Sequence, residues 1–409
     1  MTQADVIVVG GGPAGVMAGM LLARSGIVAL VLEKHADFFR DFRGDTVHPS
    51  TMELLAELGM LDRFLARPHY RIDSAELSWE GQAFKVADLS HLPTPAPFIA
   101  MMPQWDFLDF LRDEAAAFPG FALRMEAPVA AFAEEAGRIV GVKLASGETL
   151  RAGKLVLACD GRGSLVRELS LLPLEEIGAP IDVFWFAVPK PVQGKALRGS
   201  IRGNHMIVQI DRGDYWQCAY VIAKGSAEAV RARGIEAFRR DVRETAPDLP
   251  DLETALPDFD AIRLLSVSLD RLSRWHRPGL LAIGDAAHAM SPVGGVGINL
   301  AIQDAVATAN LLWEPLASAD GANADGALHR VQERRMLPTR LIQAGQRAAH
   351  EAVLRPVITG EAEQHGEPPA FLTLLNRFAA LRRLPARAIG LGFRREHLTA
   401  PKAPSTDSG

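Results

Sequence analysis

The sequence predicts an α/β protein in which a parallel sheet carries an inserted antiparallel sheet and the chain ends in helices. Three observations lead there. Short apolar runs of the fully buried kind stand at 6–9, 29–32, 155–159 and 280–283, each ending at glycine or an acidic residue. A glycine-rich turn follows the first run, and a helix-period segment follows that turn. From about 180 to 275 the pattern changes to alternation broken by turn signals.

The first run, Val6-Ile7-Val8-Val9, enters Gly10-Gly11-Gly12-Pro13-Ala14-Gly15, which fits G-x-G-x-x-G at Gly10, Gly12 and Gly15. A helix is expected from 13 to about 25, with Pro13 in its first turn and Ala14, Gly15 and Ala18 small enough to pack closely on the strand. A second strand, Ala29-Leu30-Val31-Leu32, ends at Glu33-Lys34, and Glu33 lies 18 positions after Gly15. In a Rossmann-like unit these parts bind a dinucleotide. The glycines permit a tight turn and close approach of a pyrophosphate, the helix N-terminus supplies free N–H groups, and the acid takes ribose hydroxyls. Glu33 and its neighbour Lys34 are therefore candidate cofactor residues. The fingerprint alone leaves NAD and FAD both open.

Two later motifs bear on that choice. Leu155-Val156-Leu157-Ala158-Cys159 runs into Asp160-Gly161-Arg162-Gly163-Ser164, and Leu280-Leu281-Ala282-Ile283 runs into Gly284-Asp285-Ala286-Ala287-His288. Pro292, Gly294-Gly295-Val296-Gly297, Ile298 and Asn299 follow, then a helical pattern to about 313. With these residues the chain resembles the single-component FAD-dependent aromatic hydroxylases of the para-hydroxybenzoate hydroxylase fold, over about three quarters of its length. The resemblance implies FAD, with Asp285 at the ribityl chain and the loop 292–299 against the isoalloxazine ring. It places Asp160 and Gly161 at a motif serving both FAD and NAD(P)H. It also implies that Arg43 reaches the FAD diphosphate or ring and that Gln104 lies beside the FAD linker. Ser50 stands where family members often carry a second arginine, a departure from the pattern. Plainer readings exist for Asp285 as a helix N-cap, for Arg43 as a solvated side chain and for His288 as a packing histidine at a turn.

The expected organisation is an FAD-binding domain at 1–69, 103–179 and 276–325, a substrate-binding sheet domain at 70–102 and 180–275, and a C-terminal helical segment and tail at 326–409. Tyr70, Tyr215 and Tyr220, with Trp79, Trp185 and Trp216, fall in or beside the sheet domain, where the family places the floor of a substrate chamber. Alternation turns about half of them away. The C-terminal segment is expected to be helices broken at Pro338, Pro356, Pro368-Pro369 and Pro385, with mainly solvated basic faces and a frayed tail from 401.

Composition narrows the classes further. Hydrophobic residues make up 48% and charged residues 23%, and the net charge is −5, so nothing electrostatic favours nucleic acid as a partner. No apolar run reaches membrane-spanning length, no secretory leader is read at the start, and a cytoplasmic protein, monomer or homodimer, is expected. Cys159 and Cys218 are the only cysteines and lie 59 apart, which excludes a redox-pair disulfide oxidoreductase and offers no metal cluster. No tryptophan has another two places on, which counts against the halogenases of this fold. The resemblance implies an NADH- or NADPH-driven monooxygenase that hydroxylates an aromatic or polycyclic small molecule with O2 through a flavin C4a-hydroperoxide. No protein nucleophile is required; His48 and His205 are candidate bases for ionising a phenol. The alternatives are a non-oxygenating FAD oxidoreductase of the same fold, reductase or oxidase, and a flavin-binding redox sensor.

Overall fold

The buried runs Val6–Val9, Ala29–Leu32, Leu155–Ala158 and Leu280–Ala282 pair in parallel, as strands covered on both faces must. Phe121–Arg124 adds a fifth parallel strand beside Ala29–Leu32, and His276–Arg277 closes the opposite edge antiparallel. The computed structural model describes residues 4–39, 46–190, 197–318, 322–360 and 367–404. Arg43 and residues 405–409 of the expected tail lie outside them.

Helix Pro13–Arg24 packs between the sheet, helix Gln104–Ala115 and the long helix Gly297–Ala317. A three-stranded meander, Val129–Glu135, Arg138–Leu144 and Thr149–Arg151, joins the same apolar core through Ile139, Val142 and Leu144. The antiparallel region is a seven-stranded sheet in the order Arg263–Leu265, Ile181–Pro189, Tyr215–Ala223, His205–Asp211, Leu197–Arg202, Ser74–Trp79, Gln82–Asp88. One pair departs from the expected antiparallel pattern: Leu197–Arg202 and Ser74–Trp79 run parallel, with Gly199 opposite Leu77. These strands come from separate insertions, so no hairpin constrains their direction.

The two faces of this sheet are covered differently. Phe184, Phe186, Trp216, Cys218 and Tyr220 pack against Phe238 and Val242 of helix Ile235–Thr245. Val183, Ala219 and Val221 share the opposite face with Trp185 and Val208, where they meet Leu354 of the C-terminal region and Val293 of the loop after Gly284–Ala286.

The C-terminal segment corrects two expectations. Neither Pro338 nor Pro356 breaks the helix: Ala322–Ala349 runs through the first, because side chains on both sides anchor it to the core, and the helical run continues through the second to Thr359. Nor does the chain fray at 401, since Ser25 Oγ donates to Pro401 O at 2.9 Å and Ala403 N–H donates to Arg24 O at 2.8 Å.

Candidate cofactor and active site

Three strand ends converge on one edge of the parallel sheet. Gly10 has φ +104°, and a Cβ there would lie 2.5 Å from Cys159 O. At Gly15 a Cβ would come within 1.9 Å of Gly10 O. Both positions require glycine for the turn itself. Gly12 differs: its φ is −73°, and nothing stands within 4 Å of where its Cβ would be. It is the N-cap of helix Pro13–Arg24, with no side-chain cap and Pro13 in the first turn, so the free N–H groups of that turn face open space. The buried Glu33 carboxylate accepts from Gly11 N–H at 2.9 Å and from His35 N–H at 3.0 Å, beside exposed Lys34.

Asp160 accepts from Leu165 N–H at 2.9 Å through one oxygen, while its Oδ1 is buried without a partner among the described residues. Burial raises the Asp160 carboxyl above its ordinary range, against hydrogen bonds from Ser164 and Leu165. Two arginines that the sequence reading did not single out stitch this motif to the next. Arg162 pairs with Asp285 at 3.1 Å and donates to Met290 O at 2.7 Å, leaving Nη1 buried without a partner among the described residues. Arg167 donates to Ala286 O and Asp285 O, each at 2.9 Å, and pairs with Asp270 at 2.7 Å. Asp285 is thus a paired side chain in the short turn Gly284–Ala286, not the N-cap of a long helix.

The loop 292–299 is tied to strand Thr46–Val47 and helix Pro49–Glu57. Thr46 Oγ1 donates to Gly295 O at 2.7 Å, and Gly295, at φ +61°, has no room for a Cβ against that hydroxyl. The Asn299 side chain accepts from His48 N–H and Thr51 Oγ1, both at 2.8 Å, and donates to Thr46 O at 3.2 Å. Its amide is consumed in joining these segments, so only its main chain remains for a ligand. Gly297 opens helix Gly297–Ala317 with no side-chain cap, Ile298 is buried behind it, and Pro292 is half-exposed. Gln104 begins helix Gln104–Ala115, half-buried.

These features fit FAD. Two uncapped helix N-termini, open space at Gly12, Gly161 and Gly163, and orphaned polar atoms on Asp160 and Arg162 converge from the three strand ends. Buried polar groups without partners cost about 1–3 kcal/mol each, which a bound ligand offsets.

Of the two candidate bases, only His48 stands beside this loop. It is fully buried, its Nδ1 lies 2.8 Å from Ile389 O, and its Nε2 has no partner among the described residues. Burial lowers its pKa to about 4, so it is neutral near pH 7. His205 bonds the Tyr220 hydroxyl and stands 4.0 Å from Asp241 on helix Ile235–Thr245. That is the helix-covered face of the sheet, away from Val293, so His205 is not carried forward as a base. The same parity turns Trp216 and Tyr220 away and leaves Trp185 on the Val293 face. His288 proves to be a core residue, with Nε2 2.6 Å from Asp304.

The sequence reading also missed a rack of side chains on helix Ala322–Ala349. Gln332 accepts from Trp275 N–H at 3.0 Å, Arg335 donates to Asp304 at 2.8 Å, Gln343 donates to Asp270 O at 2.7 Å, and Gln346 brackets Ser291. Their spacing of three, eight and three residues puts them on one helix face, a signal available in the sequence. Among the described residues no group of acidic, histidine or cysteine side chains could hold a metal, and no helix is long and apolar enough to cross a membrane.

Comparison with known proteins agrees with this geometry. Residues 3–344 match the family model described as FAD binding domain. The chain is similar to 6-methylpretetramide 4-monooxygenase of Streptomyces rimosus, 31% identical over 384 residues and covering 92% of each chain. It is 30% identical to rifampicin monooxygenase of Streptomyces venezuelae over 329 residues, covering 79% of this chain and 66% of that one. Among solved structures, PqsL of Pseudomonas aeruginosa superimposes with a TM-score of 0.71 at 21% identity, over 88% of this chain and 99% of that one. OxyS anhydrotetracycline hydroxylase of Streptomyces rimosus gives 0.70 at 22% identity, over 95% and 76%. At these identities the solved structures speak for the fold. Both of these relatives are monooxygenases, which favours oxygenation over the reductase, oxidase and sensor readings. With FAD as cofactor and NADH or NADPH as electron donor, this chain belongs to the FAD-binding family of flavin-dependent monooxygenases.

Proposed function

We propose that this enzyme hydroxylates a planar, polycyclic aromatic polyketide, acting in the cytoplasm as a monomer or homodimer. The observation that carries the reading is the apolar sheet face of Val183, Ala219, Val221, Val208 and Trp185, whose half-buried Val208 and Trp185 share one cluster with Val293 of the loop 292–299 and form the candidate substrate floor. A flat, fused-ring ligand lays one broad face on such a floor, whereas a small phenol covers little of it. The name of the 31% identical relative, a 6-methylpretetramide monooxygenase, supports the same class.

The cofactor roles are part of the same proposal. The open N-terminus at Gly12, Pro13, Ala14 and Gly15 holds the pyrophosphate, with Gly10 shaping the turn, and Glu33 beside Lys34 takes the adenosine ribose. Asp160, Gly161, Gly284 and Asp285 would meet the middle of the cofactor, with Gln104 at its flank; Arg43 lies outside the described residues, and its role rests on the family resemblance alone. Pro292, Gly295, Gly297, Ile298 and Asn299 would line the ring through main-chain groups. The N-terminal dipole of helix Gly297–Ala317 would stabilise negative charge on a ring bound there. When bound and reduced by NADH or NADPH, FAD supplies O2 activation, with one oxygen atom going to the substrate and the other to water. The chain's own work would be to orient the substrate on the floor and exclude water, with His48 Nε2, which has no partner among the described residues, as the candidate proton acceptor.

The test is turnover under 18O2 with FAD-loaded protein, NADPH or NADH, and anhydrotetracycline beside simple phenols. One 18O atom in a polycyclic product supports the reading. Hydroxylation of the simple phenols alone would refute the substrate class, and nucleotide oxidation without labelled product would refute oxygenation.

A further inference from the structure

Helix Ala322–Ala349 continues directly into a π-helical turn, His350–Leu354. Such turns give up regular hydrogen bonding and recur at functional sites. The first residue of this one reaches the loop below the Gly-Asp motif: His350 Nε2 lies 2.8 Å from Ser291 Oγ, which also accepts from Val293 N–H at 3.4 Å. One turn earlier, Gln346 Oε1 accepts from Ser291 N–H at 3.1 Å, while its Nε2 donates to Ser291 O at 2.8 Å and Val293 O at 2.9 Å. Both side chains are buried, at 1% exposure for His350 and 5% for Gln346.

The last residue of the turn faces elsewhere. Leu354, with Val353 beside it, packs into the cluster of Val183, Ala219 and Val221 on the sheet floor. Within five residues the turn therefore touches the loop that lines the flavin and the surface on which the substrate lies. An amide bonded to three main-chain groups of two nearby residues leaves that loop little freedom to shift or rotate. A side chain displaced from the floor would pull on the same backbone.

We propose that Gln346 and His350 are positioning residues that set the segment 291–295 against the flavin, and that the π turn ties this segment to the substrate floor. The second half rests on the assignment of that floor made above; the first half does not.

Hydrogen exchange of the FAD-loaded protein, read peptide by peptide, tests both halves without a substrate. Gln346→Leu and His350→Phe are expected to raise exchange in 291–296 at least tenfold, leave the peptides of strand Val6–Val9 unchanged, and shift the FAD midpoint potential. His350→Gln, which keeps a polar partner for Ser291, and Ser291→Ala, which deletes only Oγ, are expected to fall between these variants and the native protein. Leu354→Ala is expected to loosen 291–296 as well, and to have no added effect in a His350→Phe background. Unchanged exchange and potential in Gln346→Leu and His350→Phe would overturn the positioning role, as would a uniform rise across all peptides. Additive effects of Leu354→Ala and His350→Phe would overturn the tie while leaving the positioning role standing. Failure to find a substrate bears only on the assignment of the floor.

Discussion

Arg335 is the residue on which the C-terminal helix and the Gly-Asp turn depend most. Its side chain is 1% exposed, its Nε donates to Asp304 at 2.8 Å, and its Nη1 donates to Glu396 and Arg394 O, each at 3.3 Å. Asp304, fully buried, also accepts from Gly284 N–H at 3.1 Å and pairs with His288. Burial works to raise the Asp304 carboxyl, but His288 and Arg335 outweigh it and hold the carboxyl below its ordinary value. Arg335→Met keeps the apolar stem and leaves a buried carboxylate without one of its two side-chain partners. Breaking a buried pair in this way costs about 3–5 kcal/mol. For a chain of 409 residues unfolding as one unit, an unfolding entropy of about 2.1 cal/mol/K per residue makes each kcal/mol worth about 1.2 °C, so Tm should fall by about 4–6 °C. Because Asp304 also holds Gly284, FAD should dissociate more readily. Differential scanning calorimetry and flavin fluorescence read the two effects, and Arg335→Lys should recover part of each. A Tm within about 1 °C of the native value would refute the reasoning.

Gly12→Ala should leave the stability of the FAD-free protein unchanged, since the φ is ordinary and nothing lies within 4 Å of the new Cβ. It should weaken FAD binding by about 10- to 100-fold, about 1.4–2.7 kcal/mol, measured by titration. Gly10→Ala, by contrast, should compromise folding itself, because its Cβ meets the Cys159 backbone; circular dichroism and yield distinguish the two. His48, lowered from 6.5 to about 4, binds a proton more readily in the unfolded chain, so its contribution is complete above about pH 6.5 and is lost as pH falls toward 4. Integrated over that window the effect is about 3 kcal/mol, and chemical denaturation of His48→Gln between pH 7 and 4 should show a flatter slope than the native protein. Burial raises both the Cys159 and Cys218 thiols, so a thiol reagent at pH 8 should label neither in the native protein and both after denaturation.

The parallel core was legible because its signals are local. Val6–Val9 and Leu155–Ala158 are apolar runs buried on both faces, and Gly10 and Gly15 stand where only glycine fits. The alternation of 205–211 and 215–223 likewise announced strands, but the face on which His205 lies with Ile207 and Tyr220 is decided by strand register and by the helix packed there, not by the alternation itself. What was not legible depends on partners distant in sequence. Nothing within Ser74–Trp79 says that it pairs parallel with a strand more than a hundred residues later. The Asn299 side chain looked like a cofactor contact, but its choice of His48, Thr51 and Thr46 is decided by tertiary packing. In the C-terminal helix, attention to charge missed Gln332, Gln343 and Gln346, whose uncharged amides face the core while many of the arginines face water.

The most direct test of the central claim is anaerobic reduction of FAD-loaded protein by NADPH and by NADH, followed at the flavin band with and without anhydrotetracycline and simple phenols. The account predicts one FAD per chain and bleaching that a planar polycyclic ligand accelerates sharply, with simple phenols far less effective. A chain that takes up no FAD, or a flavin whose reduction no polycyclic ligand accelerates, would contradict it.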